Sequence, residues 1–110
     1  FKIGGGFISM QDIEETISQF PDFLSLNFQL ILEDVENKMR IELHIESGCP
    51  PDDRIILDFK NKLFEKIKEF RIGTEKGYIS DFVIQIKDLG VLPRSPITGK
   101  VKKLEDKRVK

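Results

Sequence analysis

The chain has 110 residues, of which 39% are hydrophobic and 34% are charged, and its formal net charge is −1. This is enough apolar material for one compact core, so the composition excludes a disordered chain and leaves little room for two domains. The single cysteine, Cys49, excludes an intrachain disulfide and favours a cytoplasmic protein. The sequence contains no run of about 20 apolar residues, so we predict no membrane partner.

The apolar pattern predicts elements in the order β-α-β-β-α-β. A short strand at residues 1–4 precedes a helix over 9–20, in which apolar residues recur at spacings of three and four. Residues 24–33 and 39–46 alternate between apolar and polar side chains, which is typical of half-buried strands, and residues 34–38 form the turn between them. These two strands are expected to pair as an antiparallel hairpin.

A second, longer helix is predicted over 52–70, because apolar residues again recur at helical spacing. A further strand is predicted at 78–88, and residues 90–110 are interpreted as a loop followed by a basic tail. The order is that of a small ferredoxin-like α+β domain, in which an antiparallel sheet carries two helices on one face. We therefore predict one such domain over residues 1–110.

Charge is distributed unevenly along the chain. Residues 100–110 contain six Lys or Arg against Glu105 and Asp106, a net charge of +4, so residues 1–99 sum to −5. Such a tail attracts nucleic-acid phosphates in some proteins. However, the outward side chains of the strand over 39–46 are charged or imidazole groups, and RNA-recognition modules use an aromatic platform instead. We therefore predict no nucleic-acid partner.

Lys100 and the N-terminal glycines match no decisive motif when each is taken alone. The segment "TGK" that ends at Lys100 lacks the earlier glycine and the following Ser or Thr of a phosphate-binding loop. The "GGG" at 4–6 is not the spaced-glycine fingerprint of a dinucleotide site. His44 and Cys49 lack the further ligands that a zinc site needs, so we predict no metal site.

Taken together, two segments resemble a known family. The start, "FKIGGGFISMQDIEE", and the end, "LPRSPITGKVKKLEDKR", are similar in order and spacing to the opening and closing motifs of the C-terminal domain of adenylate-forming acyl-CoA synthetases. The closing motif resembles most the phenylacetate-CoA ligase branch, which includes the coenzyme F390 synthetases. The predicted hairpin and second helix fall in the expected order, so the resemblance covers essentially the whole chain.

The resemblance implies a mobile lid of an ATP-dependent, AMP-forming ligase for an aryl or acyl carboxylic acid. A large N-terminal body would precede the lid and hold ATP, Mg²⁺ and the acid, and CoA would be the second substrate. By the same resemblance, Lys100 is the catalytic lysine of adenylation, and Arg94 contacts a phosphate or anchors the loop. Three residues match the surface that lines the CoA route: Gly5, Gly6 and Phe7. The isolated domain is expected to be inactive.

A rival interpretation from a different class stays open. A free-standing ferredoxin-like module that binds a small ligand or a regulatory partner would have the same composition and the same order of elements. The two interpretations differ in whether the native polypeptide extends upstream of Phe1. The acceptor is also open, because the F390-type relatives transfer AMP to a cofactor rather than an acyl group to CoA.

Overall fold

A four-stranded sheet and three helices make up most of the chain, which a computed structural model describes over residues 1–3 and 6–108. The helices are α1 (Met10–Ile17), α2 (Asp53–Lys66) and α3 (Lys68–Lys76). The strands are β1 (Lys2–Ile3), β2 (Gly6–Phe7), β3 (Phe28–Val35), β4 (Lys38–Glu46), β5 (Ile79–Lys87) and β6 (Leu104–Asp106). The predicted α+β class is confirmed.

The main sheet has the strand order β5-β4-β3-β6. Strands β3 and β4 pair antiparallel, as predicted, whereas β4 pairs with β5, and β3 with β6, in parallel. A parallel pair needs a crossover connection, and α2 and α3 together form the crossover between β4 and β5. The combination of helices with one four-stranded sheet is compatible with a small ferredoxin-like domain, but the sheet is mixed, which corrects the wholly antiparallel sheet that we expected. Alternation along a strand predicts which face is buried and does not reveal the direction of the neighbouring strand.

The first predicted strand lies outside this sheet. Strand β1 pairs antiparallel with β2 in a separate two-stranded sheet, with Lys2 opposite Phe7. The sheet edge beside β3 is filled instead by β6, with Leu104 opposite Leu30. The fourth strand of the main sheet therefore comes from the segment that the sequence predicts to be a basic tail.

The helix predicted over 52–70 is two helices in the structure. The Asp52 carboxylate caps α2 by accepting a hydrogen bond from the Ile55 amide at 2.9 Å. Ile67 interrupts the helix with φ of −114° and ψ of 93°, and its side chain remains in the core. Helix α3 ends at Gly77, whose φ of +82° is the left-handed conformation that glycine favours at a helix C-terminus.

The core lies between the helices and one face of the sheet. Fully buried residues of β3 and β4 face each other in register: Phe28 with Ile45, Leu30 with Leu43, and Leu32 with Ile41. On β5, Phe82 contacts the rings of Phe64 and Phe70 at centroid distances of 5.1 and 4.9 Å. Each such ring pair adds roughly 0.5–1.5 kcal/mol to the stability that burial provides. Core packing thus fixes the positions of β4 and β5, from which the neighbouring loops start.

Strands β3 and β4 are joined by a two-residue turn. Glu36 and Asn37 both have positive φ, of 50° and 66°, as the mirror-image turns of tight hairpins require. This turn lies within the predicted segment 34–38. Strand β3 begins at Phe28, four residues later than Leu24, where the alternating pattern starts.

Candidate functional site

The chain between β5 and β6, which we call the lysine loop (residues 88–103), contains a narrow turn. Arg94 and Val101 form an isolated antiparallel bridge across the turn. The Ser95 amide donates a hydrogen bond to the Lys100 carbonyl oxygen at 2.8 Å. The two limbs are therefore joined by backbone contacts on either side of the tip.

Further hydrogen bonds close the tip of the turn. The Ser95 hydroxyl oxygen accepts from the amides of Ile97 and Thr98 at 3.2 and 3.3 Å, and the Gly99 amide donates to the Ser95 carbonyl oxygen at 2.8 Å. Gly99 has φ of +70°, a conformation that costs glycine little. The side chain of Ile97 is 92% exposed, so the tip is shaped by its own hydrogen bonds rather than by packing.

Lys100 lies on the returning limb of the turn, and its side chain is exposed. Within the described part of the chain its ammonium forms no ion pair. Two neighbouring lysines are paired: Lys102 with Glu105 at 2.9 Å and Lys103 with Glu14 at 2.5 Å. Lys100 is therefore presented to solvent as a positive charge without a counter-charge in the described residues.

A buried carboxylate fastens the root of the lysine loop to the end of β4. Glu46 is fully buried, and alternation along β4 puts it on the sheet face opposite the core. Its Oε1 accepts from Arg94 Nη2 at 2.7 Å, and its Oε2 accepts from Arg94 Nη1 at 3.0 Å and from the Leu92 amide at 2.8 Å. The guanidinium and the carboxylate thus form a bidentate pair, the strongest common ion-pair geometry.

Each member of this pair stabilises the charged form of the other. The hydrogen bond from Arg94 lowers the pKa of the Glu46 carboxyl to about 2, against the effect of burial, and backbone hydrogen bonds from Gly90 and Leu92 lower it further. The same contact raises the pKa of the Arg94 guanidinium. Both groups are therefore charged at neutral pH. Arg94 makes the contact of a loop anchor here, and the phosphate contact stays a prediction.

Two open depressions flank Lys100. One, of about 500 Å³, lies against the narrow turn and is lined in part by Pro93 and Pro96. The other, of about 530 Å³, lies toward the start of β3 and is lined in part by Leu26 and Asn27. Lys100 lines both, so a molecule or a protein surface that filled either depression would meet this residue.

The residues matched to the CoA route lie in the β1–β2 hairpin, except that Gly5 is outside the described residues. Gly6 and Phe7 form β2, and the Phe7 side chain is 73% exposed, with the Lys2 ammonium 4.9 Å from its ring centroid. Arg108 fastens the hairpin by donating to the Lys2 carbonyl oxygen at 2.6 Å. No hydrogen bond or ion pair among the described residues joins this hairpin to the lysine loop, so the two predicted sites are not brought together.

Glu46 is the residue of this site that the sequence did not reveal. Alternation predicts that Glu46 is one of the outward-facing side chains of the strand over 39–46, and such residues are usually solvated. Its partner Arg94 is 48 positions away, so no local pattern signals the contact. The available signal was weak: an acidic residue at the end of a strand, and an arginine in a Pro-containing loop.

The part of the chain that the structure describes contains neither a metal-binding cluster nor a membrane-spanning helix. His44 is hydrogen-bonded to Glu42 at 3.3 Å and Cys49 is an exposed thiol, and no group of three or more His, Cys, Asp or Glu in residues 1–3 and 6–108 is placed to hold a metal ion. None of the helices α1 to α3 has the length and the apolar character needed to cross a bilayer.

Comparison with known proteins assigns this chain to no family. No protein-family model matches it, and no curated protein does. It is similar to a solved structure titled "MamM CTD - Copper form", with 9% sequence identity and a TM-score of 0.44, over 92% of this chain and 87% of that one. At that score the likeness supports no argument about a ligand or an activity of this chain.

Proposed function

We propose that this chain is the lid domain of an ATP-dependent, AMP-forming ligase that joins aryl or acyl carboxylic acids to CoA, and that Lys100 serves the adenylation step. The observation that supports the proposal most is the exposed Lys100 side chain, which has no ion-pair partner among the described residues and lies on a turn closed by its own backbone. The Glu46–Arg94 pair holds the root of that turn. ATP, Mg²⁺ and the acid would bind to a separate body of the same enzyme.

The chemistry of adenylation suits a lysine presented in this way. A carboxylate oxygen of the acid attacks the α-phosphorus of ATP, the bond to pyrophosphate breaks, and an acyl-adenylate forms. Negative charge develops on the phosphoryl and leaving-group oxygens during the attack, and a positive charge delivered there lowers the barrier. The ammonium of lysine is a compact point charge on a flexible stem, so it can reach this region from a loop.

The build of the loop supports this role because catalysis by a charge depends on its position. A misplacement of about 1 Å can reduce the rate about 100-fold. In the lysine loop the backbone of the turn is fixed by the contacts of Arg94, Ser95 and Gly99, and the side chain of Lys100 extends from this fixed backbone into solvent. A lysine in an unstructured tail would have to be ordered during each catalytic cycle.

For the thioester step, we place the CoA route along the β1–β2 hairpin, as the resemblance implies. The exposure of Phe7 supports this, because an apolar ring is available to the pantetheine arm. Gly6 has a packing reason of its own, since a Cβ at this position would lie 2.6 Å from Glu69 Cγ. The hairpin and the lysine loop share no hydrogen bond or ion pair among the described residues, which fits a lid that uses two different surfaces in turn.

The test measures the two half-reactions of the native polypeptide separately, with phenylacetate as the probe acid. Lys100→Ala should reduce phenylacetate-dependent ATP–pyrophosphate exchange by about 100-fold or more, and thioester formation from preformed phenylacetyl-adenylate should persist. The matched control is Lys102→Ala, which removes a lysine that is paired with Glu105, and it should leave both half-reactions intact.

Two outcomes would overturn the proposal. An equal loss of both half-reactions in Lys100→Ala, or no loss in either, would remove Lys100 from adenylation. A native polypeptide of about 12.7 kDa, measured in source-cell extract with an antibody to this domain, would leave the lid without a body. That size would favour the free-standing regulatory module.

A further inference from the structure

The last residue of β4, Glu46, is a buried carboxylate. Among the described residues, Glu46 is the one charged side chain that is buried, and its carboxylate accepts from the side chain of Arg94 and the amide of Leu92. Removing a carboxylate from water is costly, and an ion pair whose carboxylate is buried is weak evidence for stability alone, since apolar residues often serve as well. The geometry that this pair imposes on the loop is the stronger reason for its presence.

The contacts of this carboxylate continue toward Lys100. Glu46 holds Arg94, Arg94 bridges to Val101 across the turn, and the Ser95 amide donates to the Lys100 carbonyl oxygen. Each link is a direct contact, so the backbone of Lys100 is two contacts away from the buried carboxylate. The side chain of Glu46 is therefore linked by direct contacts to the backbone that carries the lysine.

The backbone of Glu46 also fixes the opposite wall of the depression beside Lys100. Its carbonyl oxygen accepts from the Ser25 hydroxyl at 2.7 Å and from the Ser25 amide at 3.1 Å, and its amide donates to the Asn27 carbonyl oxygen at 2.9 Å. Leu26 and Asn27 line that depression together with Lys100. The side chain of Glu46 thus contacts the lysine loop, and its backbone contacts the segment on the other side of the depression.

We propose that Glu46 is a positioning residue: its buried carboxylate, acting through Arg94 and the Leu92 amide, sets the place at which the loop presents Lys100. This inference rests on the proposed function for its meaning in catalysis, while its structural part concerns this chain alone. It predicts that loss of the carboxylate frees the turn while the sheet and helices stay folded.

The structural test compares Glu46→Gln with Glu42→Gln. Glu42 lies on the same strand and the same sheet face, and its partners Arg40, His44 and Gln85 are all outside the lysine loop. Trypsin cleavage after Lys100 should be faster in Glu46→Gln by about tenfold or more, because hydrogen bonds to a charged group are lost at the loop root. Glu42→Gln should be cleaved at the rate of the unchanged chain. Circular dichroism of each variant reports whether the rest of the domain is folded.

Arg94→Lys provides a second variant in case Glu46→Gln does not fold. Lysine keeps the positive charge but cannot form the two-pronged contact, so the cleavage rate after Lys100 should lie between those of the unchanged chain and Glu46→Gln. An unchanged cleavage rate in both variants would overturn the proposal. So would cleavage within the sheet and the helices that becomes as fast as cleavage after Lys100, since that would mean general unfolding rather than a freed turn.

The catalytic part uses the native polypeptide and the same probes. Glu46→Gln should lower kcat for phenylacetyl-adenylate formation with little change in KM for ATP or phenylacetate, and thioester formation should persist. If Lys100→Ala proves harmless while Glu46→Gln still frees the turn, the proposed function fails and the positioning of the loop stands. If Lys100→Ala abolishes adenylation while Glu46→Gln has no effect on rate or cleavage, the positioning role fails and the proposed function stands.

Discussion

Replacement of Glu46 by glutamine should change the pH dependence of the free energy of unfolding. In the folded chain the pKa of this carboxyl is lowered from 4.5 to about 2, mainly by the hydrogen bond from Arg94. The unfolded chain therefore binds more protons than the folded chain between these two values, so stability rises with pH across this window. The contribution of Glu46 is complete above pH 4.5 and is lost as the pH falls through about 2.

The structure sets the size of this effect. A change of one pKa unit corresponds to about 1.36 kcal/mol, so the change from 4.5 to about 2 corresponds to about 3 kcal/mol of stability at neutral pH. A domain of this size has a total stability on the order of 5–15 kcal/mol. The variant should therefore be clearly weakened at pH 7 and still folded.

The assay is urea unfolding at pH values from 7 down to 2, followed by circular dichroism, because the chain has no Trp and a single Tyr. The difference in unfolding free energy between the unchanged chain and Glu46→Gln should be constant above pH 5 and should shrink between pH 4.5 and 2. The pKa values of Glu15 and Glu105 are also lowered, by pairs with Lys66 and Lys102, but these pairs are present in both proteins and cancel in the difference.

Glu42→Gln is the control for this assay, because it removes one carboxylate from the same sheet face and leaves the loop contacts in place. A difference that stays constant from pH 7 to pH 2 would refute the reasoning, since it would show that the Glu46 carboxyl is not selectively ionised in the folded chain. A difference of less than about 1 kcal/mol at pH 7, the value of an ordinary exposed pair, would do the same.

The remaining predictions concern backbone conformation. Gly77→Ala should destabilise the chain by about 1–2 kcal/mol, because a Cβ disfavours the left-handed conformation at the end of α3, and Gly77→Asn should cost less; thermal unfolding measures both, and equal midpoints for the glycine and alanine forms would contradict this. Glu36→Asn should raise the free energy of unfolding by roughly 0.5 kcal/mol, because Asn tolerates positive φ in a hairpin turn better than Glu does. A lower unfolding midpoint in urea for Glu36→Asn would count against the turn geometry.

The strands that bury one face could be predicted from the sequence to within a few residues. The segment 39–46 corresponds to β4 (Lys38–Glu46), and 78–88 corresponds to β5 (Ile79–Lys87). In both, a two-residue period of apolar side chains reports directly which face is buried. The pattern is local, so no knowledge of the partner strand is needed to detect it.

The elements that depend on distant partners could not be predicted. Strand β6 has three residues, and it is defined by backbone hydrogen bonds such as the one from the Leu30 amide to the Lys103 carbonyl oxygen at 2.7 Å. In the sequence this segment is a run of charges. The break at Ile67 was equally hidden, because neither glycine nor proline marks it and its apolar side chain fits the helical pattern.

The same distinction applies to the candidate site. Pro93, Pro96 and Gly99 indicate a shaped loop before Lys100, so the presentation of this lysine could be expected from local sequence. The anchor of that loop could not, because the burial of Glu46 depends on chain segments that fold over it from elsewhere. A polar residue on an outward strand face is exposed or buried according to what covers that face.

The arrangement around Lys100 distinguishes a presented charge from an ordinary surface charge. A solvated lysine needs no fixed backbone, and the nearby Lys102 and Lys103 are paired with carboxylates. Lys100 has the reverse combination: a turn closed by hydrogen bonds, a root fixed by the ion pair of the buried Glu46 with Arg94, and an ammonium without a counter-charge among the described residues. Burial of Glu46 is costly, and the ion pair with Arg94 that offsets this cost also fixes the position of the loop. The position of an unpaired charge matters when another molecule brings the opposite charge to it, which is why the adenylation assay of Lys100→Ala is the decisive experiment.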